Sequence, residues 1–545
     1  MKLLNGLQFK EMVLSGANNL ENCQKEIDAL NVFPVPDGDT GTNMSMTFSN
    51  GAKEANNCFS NNIGDVAKAL SKGLLMGARG NSGVITSQIF RGFAKSVEGK
   101  EAVTAEEIAE AFENGTRVAY KAIMKPVEGT ILTVIREASW YAHHDFKANP
   151  KITVEEYFDN LIAHMHTSLD KTPEILPILQ EAGVVDSGGA GLCKIVEGMI
   201  AYLKGNPVKK SGVQVELTQS AQTLFENEEF GYCTEFILRL ADNYLKTFDE
   251  DNLKNKLAKD GESLVLVRDE ELVKVHVHTM HPGDALNLAQ RYGEFIKIKI
   301  ENMSEQHSEL MNGEANVPPV VQKERKDIGI IAVAAGEGIT KLLGDLGVDS
   351  VISGGQTMNP STSDFIDRIK EMDNCDKIII FPNNSNIILA ATQAKDLMSD
   401  RTIEVVNCKS IQACLSCLAR FNPEAGFDYN VAEFASVCET IQVANLTYAV
   451  KDTSIDGIDI KTGDYMAMVN KKIVASGDDL VDVAYYMLDQ LMENEDAELL
   501  TLITGEDSNP DVTAKIVDYV EAHSDLEVEV IEGNVPVYYY LLGLE

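Results

Sequence analysis

A chain of 545 residues is longer than one hydrophobic core usually supports, so two to four domains are expected. Acidic residues outnumber basic ones 84 to 47, and the resulting net charge of −37 repels nucleic acid and anionic membrane surfaces and favours a basic protein partner. No stretch approaches the roughly 18 apolar residues that a membrane-spanning helix needs, and the nine scattered cysteines fit a reducing cytosol better than a disulfide framework. We therefore expect a multidomain cytoplasmic protein without an integral membrane segment and without a nucleic-acid partner.

Residues 1–207 are predicted to be helical throughout. Apolar side chains recur three or four positions apart, for example at Val66, Leu70 and Leu74, and no segment alternates as a strand would. The first part of the chain is therefore expected to be an all-α domain.

A Gly-rich turn with two carboxylates lies within this helical region. Asp37 and Asp39 stand two residues apart and lead into a helical pattern that carries Thr40, Thr42 and Asn43 in its first turn. Carboxylate oxygens are ligands that Mg²⁺ prefers, and the free N–H groups at a helix start attract phosphate. The turn therefore predicts a site for Mg²⁺ and phosphate in which Asp37, Asp39 and Thr40 are the candidate catalytic residues.

Two other interpretations of this turn compete with a functional site. An ordinary Asp-Gly turn, with Asp39 or Thr40 as the helix N-cap, would serve the fold alone. A calcium loop fits poorly because, counted from Asp37, the sixth residue is Thr42 instead of Gly and the twelfth is Phe48 instead of Glu.

Two Gly-rich breaks separate later helices, GARGNSGV at residues 77–84 and AGVVDSGGAG at residues 182–191. Neither is a Walker loop, because no Gly-Lys-Ser/Thr follows, and neither has the Rossmann spacing after a strand. On composition alone, each break is better explained as a helix connection than as a phosphate loop.

The sequence period changes over residues 208–312. Alternating strands and two short helices follow in the order β-α-β-β-α-β, which is the ferredoxin-like pattern of a small α+β domain. The first and third strands of such a sheet are central neighbours. Val273, Val275 and Val277 must then face the helices, so the residues between them face the other way.

Three potential zinc ligands fall on that other face. His276 and His278 lie on the third strand, and Cys233 lies on the first strand together with Glu235. One thiolate and two imidazoles on one face form a zinc constellation that leaves a coordination position for water, substrate or Glu235. The alternative is a pair of ordinary surface histidines, and His281 is a weaker candidate ligand.

Residues 313–326 carry two prolines and a charge run and are predicted to be a linker. Over residues 327–545, short apolar strands alternate with amphipathic helices, which indicates an α/β domain with a parallel, helix-covered sheet. Its loops 353–361 and 381–386 follow strands, where open α/β sheets bind ligands or partners, although ordinary turn chemistry explains them equally well.

The stretch NVFPVPDGDTGTNM at residues 31–44 resembles the nucleotide-binding domain of the dihydroxyacetone kinase family, in the longer form of the ATP-binding subunit of bacterial fatty acid kinase. This resemblance extends along the whole chain. It implies a barrel of antiparallel helices for residues 1–207 that binds ATP and two Mg²⁺ ions, and a DegV-like fold for residues 327–545. Triose kinases have another metal-binding Asp at the start of this loop, and the matching position here is Asn31, which offers a carbonyl oxygen without charge.

The resemblance also gives roles to the two Gly-rich breaks. The first matches a turn whose backbone N–H groups bind the phosphates, and the second matches a segment lining the nucleoside end. The nucleotide-binding residues implied in this way are Asn43, Gly80, Asn81, Ser82, Gly83, Thr130, Leu132, Asp186, Gly188 and Gly189. The implied Mg²⁺ ligands are Asn31, Asp37 and Asp39.

The resulting prediction is a kinase that converts a fatty acid to an acyl phosphate, with the acid supplied by a separate DegV-like carrier. The carrier would dock on residues 327–545, and nucleotide binding would be independent of them. The residues themselves lead only to Mg²⁺, nucleotide and zinc, and the acyl substrate follows from the resemblance. The alternatives are a kinase for dihydroxyacetone or a similar polyol and a non-catalytic regulatory scaffold with zinc. We expect a homodimer, while the acyl chain preference stays undetermined.

Overall fold

The computed structural model describes residues 1–32, 39–123, 125–210, 232–241, 244, 248, 250–257, 261–269, 272–279, 281–302, 325–355, 358–455, 457–493 and 497–545. These divide into two compact units. One combines Met1–Val213 with Arg325–Glu545, and the other is Gln214–Glu324. The predicted helical and α/β domains therefore belong to one body.

The first domain is helical, as predicted. A two-residue strand pair, β1 (Leu4–Asn5) with β2 (Ala102–Val103), is its only sheet within the described residues. Its helices are α1 (Gly6–Asn22), α2 (Gln24–Asp28), α3 (Thr40–Asn57), α4 (Ile63–Gly77), α5 (Gly80–Ser96), α6 (Ala105–Ala122), α7 (Ile131–Ala148), α8 (Val154–Asp170), α9 (Thr172–Ile175), α10 (Pro177–Ala182) and α11 (Ser187–Leu203).

Three of the long helices begin with a capping box, in which side chains satisfy free N–H groups. Asn5, Thr104 and Thr153 form capping boxes at the starts of α1, α6 and α8. Helix packing then runs in a closed circuit: α1 contacts α3, and the contacts continue through α4, α5, α6, α7, α8 and α11 back to α1. A buried row of aromatic rings fills the interior and includes Phe9, Phe93, Phe112 and Phe158. None of the helices among the described residues is both long and apolar enough to cross a bilayer.

The middle unit has the element order predicted from its sequence. Its elements are β3 (Tyr232–Leu240), α12 (Glu250–Leu257), β4 (Gly261–Asp269), β5 (Leu272–Thr279), α13 (Pro282–Ala289), a 3₁₀ turn (Gln290–Tyr292) and β6 (Gly293–Asn302). The antiparallel sheet has the order β4-β5-β3-β6, so the first and third strands are neighbours as expected. Val273, Val275 and Val277 are buried, in agreement with the predicted inner face.

The α/β domain contains three sheets within the described residues: two larger ones and the two-stranded antiparallel pair of Thr453–Ile455 with Ile458–Ile460. Its elements are β7 (Lys326–Ala334), α14 (Glu337–Asp345), β8 (Ser350–Ser353), α15 (Thr362–Glu371), β9 (Cys375–Phe381), α16 (Ile388–Leu397), β10 (Thr402–Val405), α17 (Ile411–Ala419), a 3₁₀ turn (Pro423–Ala425), α18 (Phe427–Thr440), β11 (Gln442–Tyr448), β12 (Thr453–Ile455), β13 (Ile458–Ile460), β14 (Tyr465–Val469), β15 (Lys472–Gly477), α19 (Leu480–Leu491), β16 (Leu499–Gly505), α20 (Pro510–His523), β17 (Glu527–Val535) and β18 (Tyr540–Leu544).

The first sheet is parallel with the order β10-β9-β7-β8, which confirms the prediction for this half of the domain. The second sheet is mixed, with the order β15-β14-β11-β18-β16-β17, and only its β16–β17 pair is parallel. Its antiparallel pairs were not foreseen.

The α/β domain packs directly against the helical domain. Ala78 and Val84, from the end of α4 and from α5, belong to the same apolar cluster as Ile352, Phe365 and Ile387 of the α/β domain. That nucleotide binding is independent of residues 327–545 stays a prediction, and removing them would expose part of the α4–α5 surface.

Candidate functional site

The predicted metal turn sits at the start of α3. Asp39 is the N-cap of that helix, but its side chain makes no capping hydrogen bond. Thr40 is the first helical residue, and Asn43 is buried one turn later. Asp37 lies outside the described residues, so Asp39 is the one carboxylate of the pair whose contacts are known.

Asn31 joins the start of α3 to the start of α11. Its Oδ1 accepts hydrogen bonds from the Thr40 hydroxyl (2.7 Å) and from the Ser187 hydroxyl (3.3 Å). An amide oxygen has two acceptor lone pairs, and both are used here. Asn31 would have to release one of these hydroxyls to bind Mg²⁺.

Asp28, which the sequence analysis did not select, occupies the N-terminus of α3. Its Oδ1 accepts from the backbone N–H groups of Gly41 (2.6 Å) and Thr42 (3.1 Å), and its Oδ2 accepts from the Thr42 hydroxyl (3.0 Å). Burial raises the pKa of Asp28, although these hydrogen bonds oppose the shift. The expectation that the N–H groups of this first turn bind phosphate is corrected for Gly41 and Thr42, because a carboxylate of the chain already satisfies them.

A glycine keeps α2 and α3 close enough for this contact. A Cβ atom on Gly41 would lie 2.3 Å from the backbone oxygen of Gln24, which is far inside van der Waals contact. Any larger residue at position 41 would push the two helices apart and lengthen the Asp28 bonds.

The first Gly-rich break forms the start of α5 and lies against α3. Gly80 has a positive φ of 59°, and a Cβ there would come within 2.7 Å of the Asn43 side-chain nitrogen. A Cβ on Gly83 would lie 2.4 Å from the Thr47 hydroxyl. The structure thus brings Asn43 and the GNSG segment together, as the resemblance implies.

The second Gly-rich break meets the first. A Cβ on Gly188 would lie 3.2 Å from the Ser82 hydroxyl and 3.3 Å from the Cβ of Ile131. Gly189 packs against Val134 and Leu169 in the same way. The starts of α5, α7 and α11 are therefore close neighbours, and glycine is what lets their backbones approach.

The Asp186 carboxylate accepts hydrogen bonds at the starts of two of these helices. It is the N-cap of α11, where its Oδ2 accepts from the Gly189 N–H (2.6 Å), and it also accepts from the backbone N–H of Ile131, the first residue of α7. Burial raises the pKa of this carboxyl from 3.8 to about 6 against the opposing effect of both hydrogen bonds.

Thr130 and Leu132 are positioned by α7. Thr130 is the helix N-cap, and its hydroxyl accepts from the Leu132 N–H at 3.4 Å. The Leu132 side chain is 2% exposed and belongs to the apolar core of the helical domain. Any contact of Leu132 with a nucleoside would therefore come from its backbone.

The α/β domain adds residues that the sequence analysis did not connect to this site. Asn359, in the loop before α15, donates from Nδ2 to Oδ2 of Asp39. Its backbone oxygen accepts from Nη1 of Arg79 (2.6 Å), which also lies 3.7 Å from the Asp364 carboxylate. Loop 353–361, predicted to bind a ligand or partner, thus contacts Asp39 of the predicted metal turn through Asn359.

Two further polar contacts cross the same interface. Asn386 in loop 381–386 accepts from the Asn81 side-chain amide at 3.2 Å. Lys451 donates from Nζ to the backbone oxygens of Ala29 and Asn31, and burial lowers the pKa of this lysine. Both loops after the parallel strands therefore contact segments of the helical domain that are predicted to bind the nucleotide.

The predicted zinc site is described only at the level of the backbone. Strand pairing sets Cys233 opposite His278 and Glu235 opposite His276. The side chains of Cys233, His276 and His278 lie outside the described residues, and within the described part of the chain no group of three His, Cys, Asp or Glu side chains could hold a metal. The zinc site stays a prediction.

Comparisons with known families match three consecutive segments of the chain. Residues 34–201 match the DAK2 domain. Residues 229–310 match the middle domain of FakA-like fatty acid kinase subunits, and residues 329–545 match the C-terminal domain of the same FakA-like subunits.

Similar proteins align with nearly the whole chain. Protein YloV of Bacillus subtilis is 43% identical over 561 residues, which cover 100% of both chains. An uncharacterised protein of Staphylococcus epidermidis is 43% identical over 559 residues, with 99% of each chain covered. Among solved structures, a DegV family protein from Corynebacterium glutamicum covers 40% of this chain and 96% of its own at 12% identity and a TM-score of 0.32, a likeness too low to carry an argument. The chain, with its DAK2 domain, its middle domain and its α/β domain, belongs to the family of FakA-like fatty acid kinase subunits.

Proposed function

We propose that this protein transfers the γ-phosphoryl group of ATP to the carboxylate of a fatty acid and forms an acyl phosphate. The new bond joins the carboxylate oxygen to the γ-phosphorus, the bond from that phosphorus to the bridging oxygen breaks, and ADP leaves with the electron pair. A separate DegV-like fatty-acid-binding protein presents the acid.

The meeting of three helix starts supports this proposal most directly. The starts of α3, α5 and α11 are linked through Asn31, through the contact of Gly80 with Asn43, and through the contact of Gly188 with Ser82. The N-terminus of a helix carries partial positive charge, and because Asp28 and Asp186 occupy the starts of α3 and α11, the start of α5, uncapped among the described residues, is the one of the three that suits the polyphosphate of a nucleotide. Gly80, Asn81, Ser82 and Gly83 are the residues we assign to the phosphates.

The donor set fits Mg²⁺ on that nucleotide. Asp37 and Asp39 supply hard carboxylate oxygens at the start of α3, and Asn31 is the third ligand we assign. Bound Mg²⁺ would neutralise charge that develops on the phosphates, which is the main requirement of phosphoryl transfer. Thr40 is held beside these groups by its bond to Asn31 and is the hydroxyl nearest to the turn in sequence.

The remaining assignments concern the nucleoside and zinc. Thr130, Leu132, Asp186, Gly188 and Gly189 line the nucleoside end. In the middle unit, Cys233, His276 and His278 bind one zinc ion, an assignment supported by the backbone register that pairs Cys233 with His278.

The test measures acyl phosphate directly. The full chain is incubated with ATP, Mg²⁺ and a DegV-like protein loaded with fatty acid, and acyl phosphate is trapped with hydroxylamine as the hydroxamate. The wild type should form hydroxamate, and Asp37→Ala and Asp39→Ala should not, while the exposed control Asp65→Ala should resemble the wild type. Phosphorylation of dihydroxyacetone in place of the fatty acid would contradict the proposed substrate. Near-normal turnover by either loop variant would contradict the metal assignment.

A further inference from the structure

Asn359 of the α/β domain has an unusual environment at the metal turn. It is 1% exposed, and its Nδ2 donates to Oδ2 of Asp39. Its Oδ1 is buried and has no hydrogen-bond partner within the described part of the chain. The two polar atoms of one amide are about 2.3 Å apart, so this oxygen lies within about 5 Å of the Asp39 carboxylate.

A buried oxygen without a hydrogen-bond partner lowers the stability of the folded protein unless a ligand binds it. Buried polar atoms are nearly always paired, because an unpaired one loses its hydration without gaining a partner. Asn430, another fully buried asparagine of this domain, shows the usual arrangement. Its Nδ2 donates to the backbone oxygens of Asn422 and Gly426, and its Oδ1 accepts from the Asn422 N–H at 2.9 Å.

The loop around Asn359 is fixed by contacts on both sides. The guanidinium of Arg79 holds the Asn359 backbone oxygen, and the backbone N–H of Thr362 donates to the Ala78 oxygen at 3.2 Å. Ser361 and Asp364 form a capping box that starts α15 directly after the loop. These contacts anchor the loop to the segment just before Gly80.

We infer that Asn359 is a positioning residue of the Mg²⁺–nucleotide site and that the α/β domain thereby completes the site of the helical domain. Nδ2 fixes the orientation of the Asp39 carboxylate, and Oδ1 accepts a hydrogen bond from the hydration shell of the bound cation. Mg²⁺ keeps several waters when it binds to proteins, and such waters need acceptors. This inference rests on the proposed binding of Mg²⁺ and ATP at Asp39.

An amide suits both tasks at once. Its nitrogen can donate to the carboxylate while its oxygen accepts from water, whereas a second carboxylate would repel Asp39 and a lysine could not accept. The charge of the metal site is then set by the helical domain, and the α/β domain supplies orientation without adding charge.

The test titrates Mg²⁺ into the full chain at a fixed concentration of an ATP analogue with an imido bridge between the β- and γ-phosphates, and follows binding by calorimetry. Asn359→Leu, which keeps the branched shape but is larger, and Asn359→Ala, which is smaller, should each raise the half-saturating Mg²⁺ concentration about tenfold, as is typical for loss of a partner of a metal ligand. Analogue binding in the presence of a chelator should be unchanged. Circular dichroism should show that both Asn359 variants remain folded, so that a changed Mg²⁺ requirement is not a loss of structure.

Matched variants separate the possible outcomes. Asn430→Ala disturbs the same domain at a side chain that bonds to Asn422 and Gly426, and it should leave the Mg²⁺ requirement of the folded protein unchanged. If Asn430→Ala raises that requirement as much as Asn359→Leu does, or if both Asn359 variants behave as the wild type while Asp39→Ala loses the Mg²⁺ effect, the inference is overturned and the proposed function stands. If Asp39→Ala itself keeps the wild-type Mg²⁺ dependence, the metal assignment of the proposed function fails.

Discussion

Gln393 offers the sharpest test of how the α/β domain is held against the helical domain. This side chain, 6% exposed on α16, donates from Nε2 to the Leu75 backbone oxygen (2.7 Å) and to the Thr362 hydroxyl (3.1 Å). Its Oε1 accepts from Nε2 of Gln88 at 3.0 Å. One amide thus forms hydrogen bonds with the end of α4, the start of α15 and the middle of α5.

The expected cost follows from these three bonds. A buried hydrogen bond contributes about 1 kcal/mol net to stability. Gln393→Ala should therefore lower the free energy of unfolding by about 3 kcal/mol, and the buried partners left without a hydrogen bond raise this loss towards about 4 kcal/mol. Gln393→Met keeps most of the volume and removes only the polar atoms. The decrease in its free energy of unfolding therefore measures the contribution of the hydrogen bonds without that of a large cavity.

The assay is urea unfolding of the full chain followed by circular dichroism. Gln490→Ala, which removes a solvent-exposed bond to Glu493, is the control and should change the free energy of unfolding by less than about 0.5 kcal/mol. If Gln393→Met is destabilised by less than about 1 kcal/mol, the buried amide does not hold the interface.

Two predictions concern titration and metal content. The pKa of Asp186 is about 6 when folded and near 3.8 when unfolded, so the folded state binds more protons between these values and the contribution of this group to stability falls as pH rises. Relative to Asp186→Asn, the wild type should therefore lose about 1 kcal/mol of unfolding free energy between about pH 5 and pH 7, as measured by urea unfolding. If the difference in unfolding free energy between the two proteins does not change with pH, the raised pKa is contradicted. Elemental analysis of protein purified without chelator or histidine tag should find about one zinc per chain, lost in Cys233→Ala, and absence of zinc from both would exclude the site.

The elements that followed from local pattern were predicted well. Apolar runs such as KIIIF in β9 form strands that are buried on both faces of a parallel sheet, and their β-branched composition alone predicts a strand. The strand β18 was not predicted, because glycine interrupts its short apolar run YLLGL. Its place between β11 and β16 depends on chain segments that are distant in sequence.

The candidate site likewise contains some residues that sequence spacing predicts and others that it does not. Thr40 and Asn43 could be selected because they share one helical turn with Asp39, and spacing predicts that neighbourhood. Asp28 could not be selected, because its bond to Gly41 exists only where α2 crosses the start of α3. Asn359 is 320 residues from Asp39 in the chain, and no sequence pattern connects an asparagine in a strand-to-helix loop with a metal turn at that distance.

The contacts of the α/β domain limit how an acid could be delivered to the phosphates. Asn359 of loop 353–361 and Asn386 of loop 381–386 contact Asp39 and Asn81, so both loops border the proposed nucleotide site. The apolar cluster that joins Ala78 to the α/β domain and the fully bonded Gln393 indicate a permanent interface, since a hinge would leave such groups unpaired each time it opened. If the proposed function is correct, a carrier that brings its acid to the γ-phosphate would approach past these loops, and contact between carrier and loops would couple acid delivery to the orientation of Asp39.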